Sequence, residues 1–502
     1  MTIYPSLEEV QNLSESYNLI PIYAEVMADL ETPISAFMKI NSGSHSFLLD
    51  SVVGGERLAR YSFLGVNPYL IFKAKDNTCT FYKANEEQQE ISSEDPINTL
   101  KELIDRYKPY EPRGLPSFFG GAVGYFSYDS VRYIEDIPNT TEDDLLLPHL
   151  HFMFTDSIII FDHAENKMKI VYNIHIEPEN NTPLPIETLY QKGVDNIRAM
   201  IAMLNQPLKE ASKSKASPKH EVKANLTEEQ FKAAVEKAKD YVIAGDIFQV
   251  QISRRLELPV HDVDHFNIYR ALRSVNPSPY MFYLKFDDVE VIGSSPELLV
   301  KKEKRRVIVR PIAGTRRRGR DLEDEIRMEN ELKSDEKERA EHIMLVDLGR
   351  NDLGRVCEYG SVKISEEAGK PNLMFAEKYS HVMHLVSEVE GILIEGKDAF
   401  DVFRASFPAG TLTGAPKIRA MEIIDELENV NRGLYGGGVG YFSFNGDMDS
   451  CIVIRTAVIK NNIAYIQTAG GVVYDSTPES EFLETQNKAR AVLKALEISR
   501  DI

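Results

Sequence analysis

Two pairs of glutamates have a spacing that suits a metal site built from carboxylates. Glu338 and Glu341 stand three residues apart in a segment of helical periodicity, and Glu481 and Glu484 repeat that spacing near the end of the chain. Residues three apart share one face of a helix. If the two faces meet, four carboxylates without Cys or His would suit Mg²⁺, which takes further ligands from water and substrate. The alternative is that each pair is the solvated face of a charged helix.

An arginine and a histidine interrupt apolar segments that are predicted to be strands. Arg455 lies in the segment 451–456, and a buried guanidinium must be paired, either with an internal acid or with the carboxylate of a ligand. His384 lies in the segment 382–386, where a lone histidine is more often a satisfied core residue than a ligand. Backbone N–H groups for an anion could come from three glycine-rich stretches, at 409–411, 414–417 and 469–471.

The composition is that of an ordinary soluble globular protein. The chain has 502 residues, 43% of them hydrophobic and 27% charged, and 58 Lys+Arg against 78 Asp+Glu give a net charge of −20. Such an acidic balance argues against non-specific binding to nucleic acid or anionic membranes. The three cysteines have neither disulfide nor zinc spacing, and neither a signal peptide nor a membrane-spanning apolar run is predicted. We therefore expect a cytoplasmic protein.

One segment, 205–224, is rich in Lys, Ser and Pro and is predicted to be a linker between an N-terminal domain, 1–204, and a C-terminal domain, 225–502. A helix is predicted directly after it, with Thr227 as its N-cap and Gly245 as its end. Strand and helix patterns are mixed in both halves, without a GxGxxG or P-loop motif. We predict an α+β fold of large mixed layers.

The chain also contains one internal echo. Residues 119–128 (FGGAVGYFSY) match residues 435–444 (YGGGVGYFSF) at seven of ten positions. The simpler interpretation is that both are glycine-rich strands at which two backbones approach closely. The alternative is that both strands border one shared cleft.

Taken together, the C-terminal segments resemble the chorismate-utilising enzymes, and within that family the large, aminating components of anthranilate synthases. The motifs that carry the resemblance are PIAGT (311–315), DEKERAEHIMLVDLGRNDLGRV (335–356), YSHVMHLVS (379–387), FPAGTLTGAPKIRAME (407–422), GGGVGYFSFNGDMDSCIVIRT (436–456) and AGGVVYDSTPESEFLETQNKA (469–489). LLDS (48–51) and RYSFLG (60–65) extend it into the N-terminal half. The resemblance implies a large α/β layered sandwich, with central β-sheets flanked by helices and an active site in a cleft of the C-terminal part.

The resemblance implies a role for each matching residue. Glu297 would be the general acid that protonates the departing C4 hydroxyl of chorismate, ammonia would add at C2, and His384 would assist removal of the C2 proton as pyruvate leaves. Mg²⁺ would hold the ring carboxylate; its direct ligands would be Glu341 and Glu484, with Glu338 and Glu481 acting through water. The enolpyruvyl carboxylate would be held by Arg455, Tyr435 and Lys488. The anion site would be completed by Gly314, Thr315, Gly470, Gly471 and the hydroxyl of Thr411.

Two positions within these motifs favour ammonia as the nucleophile. Aminodeoxychorismate synthases typically have Lys where this chain has Ala313. Isochorismate and salicylate synthases share a Lys that activates water, near the position where this chain has Gln249. A neutral amide cannot act as a base on water. The implied reaction is chorismate and ammonia to anthranilate and pyruvate, the first committed step of tryptophan biosynthesis. The alternatives are the large component of an aminodeoxychorismate synthase, in the folate pathway, and a non-catalytic relative that binds or regulates.

The resemblance further implies feedback inhibition by tryptophan. Related enzymes bind it between an LLES motif and a strand NPSPYMF; the strand is intact at 276–282, whereas this chain has LLDS, with Asp50 in place of Glu. The implied pocket consists of Asp50, Ser51, Arg60, Pro279, Tyr280, Met281, Val439, Gly440 and Tyr441. The alternative for these residues is ordinary packing between domains.

A glutaminase domain is not predicted within the chain, because none of the three cysteines stands in the context of a nucleophile elbow. Use of glutamine as the source of ammonia would therefore need a separate glutaminase small subunit. Enzymes of this kind commonly form heterotetramers of two large and two small subunits.

Overall fold

The computed structural model of the chain describes residues 2–52, 60–83, 87–176, 184–208, 221–367, 369–379 and 382–502. Helices and strands are mixed along the whole of it, which confirms the predicted α+β class. Most of the predicted linker 205–224 falls outside the described residues, and the domain boundary there stays a prediction. Within the described ranges, every helix is either too short or too polar to cross a bilayer.

The helices are α1 (Leu7–Leu13), α2 (Pro33–Ile40), α3 (Pro96–Asp105), α4 (Ile186–Leu204), α5 (Glu228–Ala244), α6 (His265–Val275), α7 (Leu322–Ser334), α8 (Glu336–Gly354), α9 (Ala399–Ser406), α10 (Gly410–Thr413), α11 (Lys417–Leu427) and α12 (Pro478–Ile498), with a 3₁₀ helix at Tyr128–Tyr133. The predicted helix after the linker is confirmed as α5. The Thr227 hydroxyl accepts from the backbone N–H of Gln230, and Gly245 ends the helix with φ +85°.

The strands of the first half are β1 (Leu19–Met27), β2 (Ser46–Asp50), β3 (Tyr61–Val66), β4 (Leu70–Lys75), β5 (Thr78–Tyr82), β6 (Gln89–Ser92), β7 (Gly121–Phe126), β8 (Leu150–Thr155), β9 (Ser157–Asp162) and β10 (Lys167–His175). Those of the second half are β11 (Lys223–Ala224), β12 (Gln249–Pro259), β13 (Tyr280–Phe286), β14 (Val289–Ser295), β15 (Leu298–Glu303), β16 (Arg306–Val309), β17 (Ile312–Arg317), β18 (Lys363–Ile364), β19 (Glu366–Glu367), β20 (Lys370–Pro371), β21 (Phe375–Lys378), β22 (Val382–Val386), β23 (Val389–Ile392), β24 (Gly414–Ala415), β25 (Gly438–Ser443), β26 (Met448–Ile452), β27 (Thr456–Lys460) and β28 (Ile463–Val472).

Most of these strands form two large antiparallel sheets, and each sheet draws on both halves of the chain. The first has the order β1-β10-β9-β3-β2-β13-β14-β27-β28-β12-β11, with β24 pairing β12, and the second has the order β18-β23-β16-β15-β26-β25-β7-β8-β4-β5-β6. Alternate residues of β13 enter different cores: Phe282 and Leu284 face the core between the sheets, whereas Met281 and Tyr283 face a core shared with helices. Both faces are therefore buried, which explains why this strand is apolar along most of its length.

The two halves of the chain repeat one topology. At the centre of the first sheet β2 pairs with β13, at the centre of the second β7 pairs with β25, and the strand order outward from each centre is equivalent on both sides. The sequence echo is part of this repeat, because Gly124 lies directly opposite Gly440. A Cβ on either glycine would come within about 2.0–2.1 Å of a backbone carbonyl oxygen, of His151 and Asp449 respectively, so the close-approach interpretation is the right one.

The second half departs from the repeat by an insertion. β5 and β6 of the first half are joined by residues 83–88, whereas their equivalents β16 and β23 are separated by residues 310–388. This inserted segment contains α7, α8 and the three-stranded sheet β17-β22-β21. It therefore extends the second half on one side, where the first half has only a short connection.

Candidate active site

A cleft of about 760 Å³ lies in the second half, between strands β12 and β28, helix α12 and the inserted segment. It brings together nearly all the residues that the sequence assigns to catalysis, substrate and metal. Its walls include Glu297, Gly314, Thr315, Glu338, Glu341, His384, Thr411, Tyr435, Arg455, Gly471, Glu481, Glu484 and Lys488. Gly470 stands behind the wall rather than in it. The individual roles of these residues stay predictions.

Glu297 lies at the turn between β14 and β15, where its carboxylate is buried. Its Oε1 accepts a hydrogen bond of 2.8 Å from the Thr411 hydroxyl. Burial raises the pKa of Glu297 to about 7, although the Thr411 hydrogen bond and the charge of Lys488 act in the opposite direction. A carboxyl group that still carries a proton near neutral pH is suited to general-acid catalysis.

His384 lies in β22, as predicted, and its ring faces the cleft. Its Nδ1 is 2.9 Å from the backbone oxygen of Gly314 and 3.1 Å from the Thr315 hydroxyl. Burial lowers the pKa of the imidazole, so the ring is neutral near pH 7. Because Nδ1–H donates to the carbonyl oxygen, the lone pair of Nε2 is left to accept a proton.

Arg455 is not inside a strand, and that part of the prediction is wrong. The strand β26 ends at Ile452, and residues 453–455 carry the chain from the second sheet to the first, with Arg455 in the left-handed region at φ +53°. Backbone strain of this kind is concentrated at functional sites. Burial lowers the pKa of the guanidinium, which Tyr435 and Glu484 partly offset. A ligand carboxylate would compensate this desolvated cation.

The carboxylates of Glu481 and Glu484 lie together on the first turns of α12. Glu481 is 6% exposed, and its Oε2 is buried without a hydrogen-bond partner among the described residues. Burial, followed by the charge of Glu484, raises the pKa of Glu481 to about 7. Glu484 forms an ion pair of 2.6 Å with Lys488. Gly470 is explained by the same carboxylate, since a Cβ there would lie 2.8 Å from Oε2 of Glu481.

The other pair lies on α8, which begins after Asp335 caps it and separates it from α7. Burial, followed by the charge of Glu338, raises the pKa of Glu341, while a hydrogen bond with Gln249 lowers it. Oε1 of Glu338 is 3.3 Å from Nη1 of Arg316. Across the residues that the structure describes, no three acidic or His/Cys side chains converge closely enough to form a ready-made metal site.

Gln251 and Gln467 are among the polar residues of the cleft that escaped the sequence analysis. Gln251 follows Gln249 on the same face of β12, and Gln467 on β28 donates a hydrogen bond of 2.8 Å to Ser253. Two glutamines at i, i+2 in an otherwise apolar stretch of strand are the signal that could have found the first of them. Gly471 makes room for this row, because a Cβ there would lie 2.8 Å from Nε2 of Gln251.

A second cavity, of about 360 Å³, lies between the two sheets near their centres. All nine residues assigned to a tryptophan pocket line it: Asp50, Ser51, Arg60, Pro279, Tyr280, Met281, Val439, Gly440 and Tyr441. Of the two echo segments, only the second contributes to this wall. The structure thus brings the nine residues together, and their role stays a prediction.

Known proteins share this sequence pattern along nearly the whole chain. The chain matches the family of chorismate binding enzymes over residues 45–494, and it belongs to that family. It is 49% identical to anthranilate synthase component 1 of Acetivibrio thermocellus, over 99% of both chains. It is 44% identical to the component 1 of Aquifex aeolicus, over 100% of this chain and 99% of that one.

Solved structures give the same result. Anthranilate synthase component I from Streptococcus pneumoniae TIGR4 is 36% identical, with a TM-score of 0.76 over 93% of this chain and 98% of that chain. The menaquinone-specific isochorismate synthase from Escherichia coli is 16% identical, with a TM-score of 0.70 over 98% of both chains, and it shows the shared fold alone. The resemblance seen in the sequence is thereby confirmed.

Proposed function

We propose that this chain is the large component of an anthranilate synthase, which converts chorismate and ammonia to anthranilate and pyruvate. Relatives of that name at 43–49% identity over nearly the whole chain support the proposal. The observation that carries it is the buried Glu297, whose pKa is raised to about 7 and which is held by Thr411 at the wall of a cleft that also contains a histidine of lowered pKa and a half-buried arginine.

The proposed chemistry uses these groups in turn. Arg455 binds a carboxylate of chorismate and fixes the ring, Glu297 gives its proton to the C4 hydroxyl as it leaves as water, and ammonia forms a bond to C2. The amine then loses a proton, which returns Glu297 to its acid form. Nε2 of His384 accepts the C2 proton as the C3–O bond breaks and the ring becomes aromatic. The departing enolpyruvate takes up a proton to become pyruvate, which balances the proton held by His384. Each such proton transfer contributes about 10²–10⁴ in rate.

Ammonia rather than water is favoured by two residues of the cleft wall. Gln249 and Ala313 both line it, and neither side chain can act as a base or as an amine nucleophile. The amide of Gln249 is instead engaged with Glu341. These features support amination at C2 over the aminodeoxychorismate and isochorismate reactions.

Mg²⁺ fits the residues of the cleft. The donors are all carboxylate oxygens, the kind that hard cations prefer, and the buried Oε2 of Glu481 has an unsatisfied acceptor capacity that a metal-bound water would fill. Glu341 and Glu484 would hold the ion directly, and Glu338 and Glu481 through water. When bound, Mg²⁺ would neutralise the ring carboxylate of chorismate. Since the four carboxylates do not converge by themselves, substrate and water would supply the remaining ligands.

Regulation and partnership complete the proposal. The cavity between the sheets would bind tryptophan as feedback inhibitor, and a separate glutaminase small subunit would supply ammonia, in a heterotetramer of two large and two small chains. The reaction would be the first committed step of tryptophan biosynthesis.

The test is to incubate the purified chain with chorismate, Mg²⁺ and an ammonium salt at mildly alkaline pH and to record anthranilate by its fluorescence. We expect product that disappears with a chelator and a loss of most activity in Glu484→Gln. Formation of 4-aminobenzoate instead would favour the aminodeoxychorismate synthase alternative. Chorismate that stays unreacted, with no pyruvate released, would refute the proposal.

A further inference from the structure

The cavity between the sheets contains an acidic residue that the protein itself already satisfies. Asp50, 4% exposed, accepts hydrogen bonds from Ser62 (2.6 Å), from Nε of Arg273 (2.8 Å) and from the Tyr269 hydroxyl (3.4 Å). Two of these donors lie on α6, so the carboxylate ties β2 to that helix. Asp50 thus already accepts three hydrogen bonds, one of them from the cation Arg273, and a ligand ammonium would have to compete with these donors.

A different carboxylate in the same cavity is less well satisfied. Oδ1 of Asp449, on β26, is buried without a well-aligned hydrogen bond from any described residue, and so is the neighbouring hydroxyl of Tyr280. Burial raises the pKa of Asp449, against the charge of Lys301 and the nearby Tyr280 hydroxyl. Oδ2 of Asp449 is 3.7 Å from Nζ of Lys301, which lies closer to Glu303, at 2.7 Å. The carboxylates of Asp449 and Glu303 thus share the ammonium group of Lys301.

We propose that Asp449 is the residue that binds the α-ammonium group of the amino acid taken up by this cavity, and that Asp50 has a structural role instead. The inference rests on the proposed regulatory function of the cavity. A bound ammonium group would donate to Oδ1 of Asp449 and place a second positive charge beside Asp449 and Glu303. A buried carboxylate without a well-aligned partner disfavours the empty pocket, so the pocket would select ligands that carry an amine.

The chain contains no tryptophan, so fluorescence of a bound indole can be read without indole emission from the protein itself. L-tryptophan and indole-3-propionate share the indole ring and carboxylate and differ in the amine. We expect the wild-type chain to prefer tryptophan by about 10- to 100-fold, the usual value of a charged hydrogen bond. In Asp449→Asn we expect the preference to fall to a few-fold at most, because tryptophan binds more weakly and the deaminated ligand does not.

Two matched variants separate recognition from stability. Asp50→Asn keeps the preference for tryptophan and lowers the melting temperature, since it loses the link to α6. Asp447→Asn lies two residues away, beside Lys302 at 3.6 Å and outside the cavity wall, and it keeps the preference as well. If Asp449→Asn does not fold, Lys301→Gln replaces it: removal of the competing ammonium should tighten tryptophan binding severalfold.

The outcomes distinguish this inference from the function on which it rests. A wild-type chain that binds neither ligand would remove the proposed regulation and this inference together. A wild-type chain that prefers tryptophan, with the preference intact in Asp449→Asn and lost in Asp50→Asn, would overturn this inference alone. Unchanged or weaker tryptophan binding in Lys301→Gln would do the same.

Discussion

Tyr69 and Glu297 occupy equivalent positions in the two halves of the chain, yet only the glutamate faces a cleft. Each follows a proline and precedes an equivalent strand, β4 or β15, and each is preceded by a glycine, Gly65 or Gly293, whose missing Cβ makes room for a phenylalanine ring. The Tyr69 hydroxyl donates to that of Tyr107 at 3.1 Å. One position of a repeated scaffold thus serves packing in one half and an acid in the other.

A second equivalent pair explains the space. His175 at the end of β10 corresponds to Gly471 near the end of β28, since both strands follow an asparagine with positive φ, Asn166 or Asn462. The centroid of the His175 ring lies 4.7 Å from the ring centroid of Tyr69 and 5.0 Å from that of Tyr107. Aromatic side chains therefore fill in the first half the volume that a glycine leaves open in the second.

The insertion supplies a further part of the difference. Residues 310–388 contribute Gly314, Thr315, Glu338, Glu341 and His384 to the cleft, and the first half has a short connection in that place. The repeated sheets provide a rigid frame, to which the second half adds these two exchanges, the insertion and the side chains of Thr411, Arg455, Glu481, Glu484 and Lys488. Functional sites are commonly built in this way, from side chains added to a stable fold.

The strongest test of this comparison is to remove the acid and its counterpart in parallel. Glu297→Gln cannot donate a proton to the leaving hydroxyl, and we expect anthranilate formation to fall by about 10²–10⁴-fold with the fold intact. Tyr69→Phe removes only a hydroxyl from the aromatic cluster and should leave the rate nearly unchanged. Steady-state rates and melting curves of both variants decide the matter; a similar loss of rate in both would contradict the assignment.

Alanine substitutions at Gly471 and at its counterpart His175 should have opposite effects on activity and on stability. In Gly471→Ala the new Cβ displaces the amide ends of Gln251 and Gln249, which are flexible, so we expect about a 10- to 100-fold loss of activity at little cost in stability. In His175→Ala a half-buried ring that packs on two tyrosines is lost, and the free energy of unfolding should fall by about 1–3 kcal/mol while the rate per folded molecule is kept. Urea titrations measure stability and initial rates measure activity. Gly471→Ala that mainly loses stability, together with His175→Ala that mainly loses activity, would refute the comparison.

The pH dependence of stability should differ between the halves. The pKa of Glu297 is raised from 4.5 to about 7 in the folded chain, so the ionised form is disfavoured there and stability is lost as pH rises between these values. The free energy of unfolding of Glu297→Gln, measured relative to that of wild type, should therefore increase by up to about 3 kcal/mol as the pH rises through this window. Tyr69→Phe should show no such trend, because a phenol does not titrate in this range. Equal trends in the two variants would exclude Glu297 as the titrating group.

Local signals explain which parts of the molecule were predictable. The helix after the linker was predicted from Thr227 and Gly245, because a cap acts on neighbouring residues. The end of strand β26 before Arg455 was not predicted, because the chain stays apolar where it passes from one sheet to the other. The repeat left its longest sequence trace at residues 119–128 and 435–444, where backbone contact requires glycine. Elsewhere only single positions such as Gly65 and Gly293 match, because a core accepts any apolar residue of suitable size.

The smallest expected effect tests whether the two halves are equivalent in backbone as well as in topology. Asp76 and Lys304 follow the equivalent strands β4 and β15 and have φ of +49° and +54°. A glycine relieves this strain, so Lys304→Gly should raise the free energy of unfolding by up to about 1 kcal/mol, and Asp76→Gly by less, because aspartate tolerates the left-handed region better than lysine does. Denaturant midpoints of the two variants, each measured beside wild type, give the comparison. Destabilisation in both would mean that the two turns depend on their side chains rather than on a shared backbone conformation.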